Sequence, residues 1–209
     1  MENKRIMIVE DDPMARQLFE MYVKQCEHYE LVRSISNADL ADIYCEDGSI
    51  DLILMDIRTA MQASGLDAAE RIKKKHPEIK IIIVTSMPEQ AYLKRAREIG
   101  VDSFWYKTAM EGTFIDLVDR TLEGEHFFPD AAPELKLGNA SSYDFTDREM
   151  EVLRELTTGA SNAMIAEKLY MSERTVKAHI QHMQEKTGFV NRVELAVKAR
   201  ESGIAIGED

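Results

Sequence analysis

Apolar residues recur through the first 124 positions in five short runs, at 6–9, 31–35, 52–55, 81–84 and 103–106. Ile81, Ile82, Ile83 and Val84 are apolar at successive positions, as in a parallel strand covered on both faces. Between the runs the period lengthens to that of a helix. Met14, Leu18, Met21 and Tyr22 mark one such stretch, and Tyr92, Leu93, Ala96 and Ile99 another. Five strand–helix repeats predict an α/β fold, a five-stranded doubly wound parallel sheet over residues 1–124. Gly100 stands where a helix would hand over to the fifth strand.

Residues 125–144 break every periodicity. Pro129, Pro133, Gly138-Asn139 and Ser141-Ser142 make them a predicted linker. From 145 to 209 the pattern predicts an all-α domain of four helices. Thr146 and Glu149 form a capping box, followed on one face by Met150, Val152, Leu153 and Leu156, and Gly159 closes this helix. Ser161 caps a second helix with Ile165, Ala166 and Leu169 inward. After a turn at Tyr170-Met171, Ser172 caps a third that stops at Gly188. Val176, Ile180 and Met183 must pack inward at that spacing, which turns Arg174, Lys177, Ala178, Gln181 and His182 outward. Asn191 and Glu194 read as another capping box and open the fourth helix.

Charge does not by itself suggest nucleic acid, because the 209-residue chain carries a formal −12. Residues 1–124 hold 16 Lys/Arg against 23 Asp/Glu, and residues 145–209 hold 9 against 11. The acids of the second part sit at its ends. Between 160 and 192, Lys168, Arg174, Lys177, Lys186 and Arg192 face only Glu167, Glu173 and Glu185. That modest basic face implies weak, salt-sensitive binding by one copy and a need for dimerisation. Cys26 and Cys45 have neither metal-ligand spacing nor the number for a disulfide framework, and read as reduced thiols. No apolar run approaches membrane-spanning or signal-peptide length, so the expectation is a soluble, cytoplasmic protein without a membrane partner.

In an open parallel sheet, ligands gather at the C-terminal strand ends. The first strand runs into Glu10-Asp11-Asp12 and the third into Asp56. Their carboxylates would converge, repel one another and call for a hard cation, and oxygen ligands with water suit Mg²⁺. The fourth strand ends in Thr85 and the fifth in Lys107, a hydroxyl and an ammonium suited to phosphoryl oxygens. This constellation resembles the response-regulator receiver family, with its flavodoxin-like fold, over essentially all of residues 1–124. The resemblance implies Asp56 as phosphoacceptor, with Glu10, Asp11, Asp56 and the backbone carbonyl of Arg58 as metal ligands. Thr85 and Phe104 become the switch pair, Lys107 the phosphate-contacting amine, and a sensor histidine kinase the donor. Asp12 falls to capping the first helix. One departure stands out. Family members commonly have Met-Pro after the Asp and Gly eight residues on, whereas Asp56 leads through Ile57-Arg58-Thr59-Ala60 to Gly65, without proline and one residue late. Thr108 also stands where many receivers have proline.

The ordered string from Thr146 through Ser161, Ser172, Thr175, Val176, Lys177 and His179 to Asn191-Arg192 resembles the LuxR/NarL-type helix-turn-helix over residues 145–199. The resemblance implies base reading by Lys177, Ala178 and Gln181 in the major groove of double-stranded DNA. Lys168, Ser172, Thr175, Lys186 and Arg192 would hold phosphates. The fourth helix, through Leu195, Val197 and Ala199, would form the face of a homodimer on DNA.

The combined expectation is a transcriptional regulator switched by Asp phosphorylation, and not an enzyme beyond its own phosphoryl transfer. The alternative keeps the DNA reader but makes it independent of phosphate, because the loop after Asp56 is altered. A flavodoxin-like or phosphatase-like enzyme fits less well. Glu10-Asp11-Asp12 would repel a flavin phosphate, and Arg58 occupies the position where such phosphatases carry a second Asp.

Overall fold

The computed structural model describes residues 3–46, 48–107 and 114–205. Thr108 lies outside them. The chain divides into two compact units, one reaching Ser86 and taking in residues 90–131, the other running from Ala132.

In chain order the first unit contains β1 (Lys4–Val9), α1 (Pro13–Gln25), β2 (Tyr29–Ile35), β3 (Leu52–Met55), a short pair β4 (Arg58–Thr59) and β5 (Ala63–Ser64), α2 (Gly65–Lys75), β6 (Lys80–Thr85), α3 (Gln90–Ile99), β7 (Ser103–Tyr106) and α4 (Phe114–Leu122). The five longer strands form one parallel sheet in the order β2-β1-β3-β6-β7. From β1 the chain moves outward to β2, then returns past β1 to β3. The reversal of strand order therefore falls between β1 and β3, where a doubly wound sheet opens its crevice. Ile6, Ile8, Leu52, Leu54, Ile82 and Val84 pack one face against Phe19, Val23, Phe114 and Leu117.

Two expectations shift here. The second crossover is not an α-helix but two 3₁₀ turns, Ala38–Leu40 and Asp42–Cys45. Asn37 accepts from the Asp39 amide at 2.8 Å and starts a tight turn at once. The small residues Ala38, Ala41 and Cys45 then let the backbone lie close to the sheet unit. In α1, Met14, Leu18 and Met21 are exposed, while Phe19 and Val23 are buried. Two apolar stripes of helical period run side by side there. Tyr22, the member of the expected stripe that does pack inward, joins Phe19 on Phe114, at 5.9 and 5.2 Å between ring centres.

The expected linker, 125–144, is largely structured. Its start extends the sheet edge: Phe104 N–H donates to Phe127 O at 2.8 Å, and Phe127 N–H to Ser103 Oγ at 3.1 Å. Its later part forms an antiparallel pair, β8 (Lys136–Leu137) and β9 (Ala140–Ser141), with Leu137 and Ala140 in the core of the second unit. Gly138 lies so close to the end of a helix that an added Cβ would sit 2.2 Å from Thr187 O. Prolines and turn pairs broke the periodicity without leaving the backbone free.

The second unit continues with α5 (Asp147–Thr157), α6 (Asn162–Lys168), α7 (Glu173–Thr187) and α8 (Arg192–Glu201). Thr146 and Glu149 make the reciprocal capping box, and Ser161 and Ser172 cap α6 and α7. Asn191 accepts from the Val193 and Glu194 amides, but Glu194 returns its bond to Val190 N–H rather than to Asn191. Val152, Leu153, Ile165, Val176, Met183, Leu195 and Ala199 form the core. Leu195 and Ala199 are thus fully buried, and cannot make the outer face expected of them. Residues four apart share one helix face, so the exposed apolar pair on α8 is Val193 and Val197.

Candidate functional site

The first site is built at the strand-order reversal. Val9 and Met55 pair in register at the ends of β1 and β3, so Glu10 and Asp56 leave the sheet side by side. Asp56 N–H donates to Val9 O and Glu10 N–H to Ile35 O, both at 2.9 Å, fixing the two backbones. Asp12 caps α1 by accepting from Ala15 N–H at 2.7 Å, and its own amide donates to Glu10 Oε1 at 3.2 Å. Glu10, Asp11 and Asp56 each offer a carboxylate oxygen within 4.8 Å of the others. Three hard oxygen donors at that spacing fit a divalent cation of the Mg²⁺ type.

Lys107 completes the cluster. Its Nζ lies 2.7 Å from Asp56 Oδ2 and 2.6 Å from Glu10 Oε2, with all three side chains largely buried. The second Asp56 oxygen accepts from Ile57 N–H at 2.7 Å. Burial, together with the Asp56 charge beside it, pushes the Glu10 carboxyl up to about 7 against the pull of Lys107. Burial lowers the Lys107 ammonium, but the Asp56 and Glu10 carboxylates outweigh it and leave the group above its usual value. One ammonium therefore stands among more acidic groups than it can neutralise. Thr85 ends β6, and its carbonyl accepts from Lys107 N–H at 2.8 Å. Phe104 is wholly buried on β7, 5.0 Å from Tyr106 between ring centres.

The altered loop after Asp56 is a hairpin. Arg58 pairs with Ser64 and Thr59 with Ala63, while Met61 and Gln62 turn the corner with φ near +61°. At Gly65 an added Cβ would fall 1.8 Å from the Asp56 carbonyl oxygen, so only glycine lets α2 start beneath the acidic residue. Sequence reasoning noted this glycine's position but missed Thr59, whose buried hydroxyl accepts from Ala38 N–H at 2.9 Å and donates to Ala63 O at 3.0 Å. A single threonine carries no pattern that would reveal such a role.

The second site lies on α7. Arg174, Lys177, Ala178, Gln181 and His182 are exposed along it, and His179 is half-buried. Gln181 bonds Glu185 Oε1 at 2.8 Å. Ser172 and Thr175 stand exposed at the helix N-terminus, their hydroxyls 2.8 Å apart. Lys168 pairs with Glu155 at 2.8 Å. Lys186 and Arg192, also expected at phosphates, are bonded to other groups of the domain. Lys186 donates to Glu149 Oε2 at 2.7 Å and Asp144 O at 2.9 Å, and Arg192 to Asn162 Oδ1 and Ala160 O, both at 2.8 Å. Charge and position alone do not reveal these acceptors, which run from the buried Glu149 and Ala160 to the exposed Asp144.

Residues 6–119 match the family model described as response regulator receiver domain, and residues 144–199 the one described as bacterial regulatory proteins, luxR family. The chain belongs to the LuxR-type response regulators. This response regulator is 32% identical over 203 residues to response regulator protein VraR of Staphylococcus epidermidis, covering 93% of this chain and 95% of that one. It is 28% identical over 197 residues to a nitrate/nitrite response regulator protein homolog of Haemophilus influenzae, covering 92% and 94%. Among solved structures, the response regulator ChrA of a heme-sensing two-component system aligns over 98% of this chain and 100% of its own, with 24% identity and a TM-score of 0.53. RcsB from Salmonella enterica serovar Typhimurium, solved on a promoter with a phosphomimetic, aligns over 95% and 99%, with 17% identity and a TM-score of 0.60. At these identities the structures bear on the fold alone. Among the described residues, no helix of the response regulator is long and apolar enough to cross a membrane.

Proposed function

We propose that this response regulator accepts a phosphoryl group on Asp56 from a phosphohistidine of a partner kinase, and that phosphorylation controls how its C-terminal domain pairs on double-stranded DNA. The observation that carries the proposal is the gathering of Glu10, Asp11 and Asp56 within 4.8 Å, with Lys107 on Asp56 Oδ2. An Asp56 carboxylate oxygen attacks phosphorus, the phosphorus–nitrogen bond breaks, and the imidazole leaves with the electron pair. Bound Mg²⁺ would supply the charge neutralisation that such a transfer needs. Glu10, Asp11, Asp56 and the Arg58 carbonyl would hold it. Lys107 holds a phosphoryl oxygen, and its ammonium balances part of the charge that transfer adds. Thr85, one strand away, turns its hydroxyl to the acyl phosphate, and Phe104 repacks with it as the two-state element.

The exposed stripe Met14, Leu18 and Met21 on the helix that follows Glu10 to Asp12 offers the kinase an apolar footing beside the pocket. On DNA, Lys177, Ala178 and Gln181 read bases, while Ser172, Thr175 and Lys168 contact phosphates. Homodimer contact runs through Val193 and Val197 rather than Leu195 and Ala199. Treating the protein with a small-molecule phosphodonor should place one acid-labile phosphate on wild type and none on Asp56→Asn. Equal labelling of both would overturn the assignment.

A second reading, DNA binding independent of phosphate, takes its support from the hairpin at Arg58–Thr59 and Ala63–Ser64 that replaces the family loop. Unchanged DNA affinity in Asp56→Asn, with and without phosphodonor, would favour it.

A further inference from the structure

The hairpin after Asp56 is held in an unfavourable shape. Met61 and Gln62 both lie in the left-handed region, at φ near +61°, a conformation that L side chains rarely adopt. Among the five residues from Thr59 to Ala63 no proline stiffens the backbone and no glycine relieves its positive φ. The corner persists because its base is stitched to the segment that follows β2. Ala60 N–H donates to Ser36 O at 2.9 Å, and Ala38 N–H donates to the Thr59 hydroxyl at 2.9 Å. The same hydroxyl donates to Ala63 O at 3.0 Å, across the mouth of the hairpin. Thr59 is fully buried, so both bonds are shielded from water.

The register of the pair gives this knot a consequence. Gly65 N–H donates to Ile57 O at 2.8 Å, one residue outside the Arg58–Ser64 pair, and so closes the base of the hairpin. Arg58 shares its following peptide with Thr59, so the bonds that fix Thr59 also fix the plane of the Arg58 carbonyl. On the other side, Ile35 O accepts from Glu10 N–H, one residue before Ser36. The segment 35–38 therefore ties the Glu10 side of the acidic pocket to the Thr59 side.

We infer that Thr59 is a positioning residue for the divalent cation: its buried hydroxyl locks the hairpin so that the Arg58 carbonyl is presented as a ligand alongside Glu10, Asp11 and Asp56. This rests on the reading of that pocket as a Mg²⁺-assisted phosphoacceptor site. Thr59 touches neither metal nor phosphate. It does with two hydrogen bonds what a proline does with a fixed φ.

The test is calorimetric titration of the full chain with Mg²⁺ alone, in wild type, Thr59→Val and Thr59→Ser. Valine keeps the shape and loses both hydrogen bonds, whereas serine keeps them. Outer-shell partners of metal sites are typically worth about 10–100-fold in affinity. Thr59→Val should therefore weaken Mg²⁺ binding about 10-fold or more, and Thr59→Ser should stay within about 3-fold of wild type. At saturating Mg²⁺ the valine variant should regain most of its phosphorylation rate, since Asp56 and Lys107 are untouched. Unchanged Mg²⁺ affinity in folded Thr59→Val would overturn the inference.

A measurement on wild type serves if that variant does not fold. Linkage requires that Mg²⁺ strengthen the knot as much as the knot strengthens Mg²⁺ binding. Saturating Mg²⁺ should slow hydrogen exchange at the Ala38 amide, and exchange there that ignores Mg²⁺ would also overturn the inference. Absence of any Mg²⁺ binding to wild type would instead bring down the phosphoacceptor reading itself, and this inference with it.

Discussion

Lys107 Nζ lies 2.7 Å from Asp56 Oδ2, an ion pair spanning the ends of β7 and β3 with little access to solvent. Because Glu10 shares the same ammonium at 2.6 Å, the cluster holds more negative than positive charge, and its behaviour should depend on pH and on metal.

Glu10 gives the pH dependence a sign. Its carboxyl is raised from an ordinary 4.5 to about 7 by burial and by Asp56. Between those values the unfolded chain releases a proton that the folded chain keeps, so the metal-free receiver loses stability as pH climbs. The favourable contribution is complete below about 4.5 and gone once pH passes 7. Glu10→Gln should accordingly melt higher than wild type at pH 8, with the difference shrinking at pH 5. Each kcal/mol corresponds to roughly 4 °C for a unit of this size. A difference independent of pH, measured by thermal denaturation without divalent ions, would contradict the account.

Gly65 should tolerate nothing larger. A methyl group there would meet the Asp56 carbonyl oxygen at 1.8 Å, and the obstacle is backbone rather than a pliable side chain. Gly65→Ala should destabilise the receiver by about 2 kcal/mol or more and displace the phosphoacceptor. Circular dichroism melting and phosphodonor labelling should fall together. Wild-type labelling in this variant would show that the close approach is dispensable.

In the second unit, Lys186 and Lys177 should separate stability from recognition. Lys186 neutralises Glu149, a carboxylate buried in the α5 capping box. Burial raises the Glu149 carboxyl, but Lys186 and the Thr146 amide outweigh it and hold it below the usual value. Lys186→Ala should cost about 1.5–3 kcal/mol, the range for a hydrogen bond between charged groups. Lys177→Ala lies on the exposed face of α7 and should leave the melting point within about 0.5 kcal/mol while weakening DNA binding. Guanidinium unfolding paired with fluorescence anisotropy on DNA would show the reversal if the roles are misassigned.

Gln181→Ala should alter which bases are preferred more than how tightly DNA is held. Lys168→Ala should weaken binding evenly across sequences and reduce the salt slope by about one. Selection from randomised duplexes, with affinities at several salt concentrations, separates the two. Identical effects of both substitutions would argue against a base-reading role for Gln181.

Much of this architecture was legible in the order of residues. The run at 52–55 coincides with β3, because a fully buried parallel strand is apolar at every position, and the run at 103–106 coincides with β7 although Ser103 opens it. The helix caps at Thr146, Ser161 and Ser172 were equally readable, since a cap needs a particular side chain at a particular place. What failed was the choice between neighbouring stripes. Met14, Leu18 and Met21 have the same helical period as the packed Phe19 and Val23, and only tertiary aromatic contacts tell them apart. On α8 the expected dimer face mixed the two sides of the helix. Lys186 and Arg192 looked like surface cations because their acceptors, Glu149, Asp144, Asn162 and Ala160, lie 30 or more residues away in the chain. The acidic pocket was visible because its members sit at strand ends, whereas the Thr59 knot needed the fold to bring Ala38 beside it.

The central claim is that a phosphoryl group on Asp56 governs DNA binding. Its most direct test measures affinity for a selected DNA duplex, at fixed salt, before and after treatment with a small-molecule phosphodonor and Mg²⁺, in wild type and Asp56→Asn. The account predicts tighter binding and dimer formation on treatment of wild type, and no response in Asp56→Asn. An unchanged affinity in wild type carrying the phosphate, or an equal gain in Asp56→Asn, would contradict it.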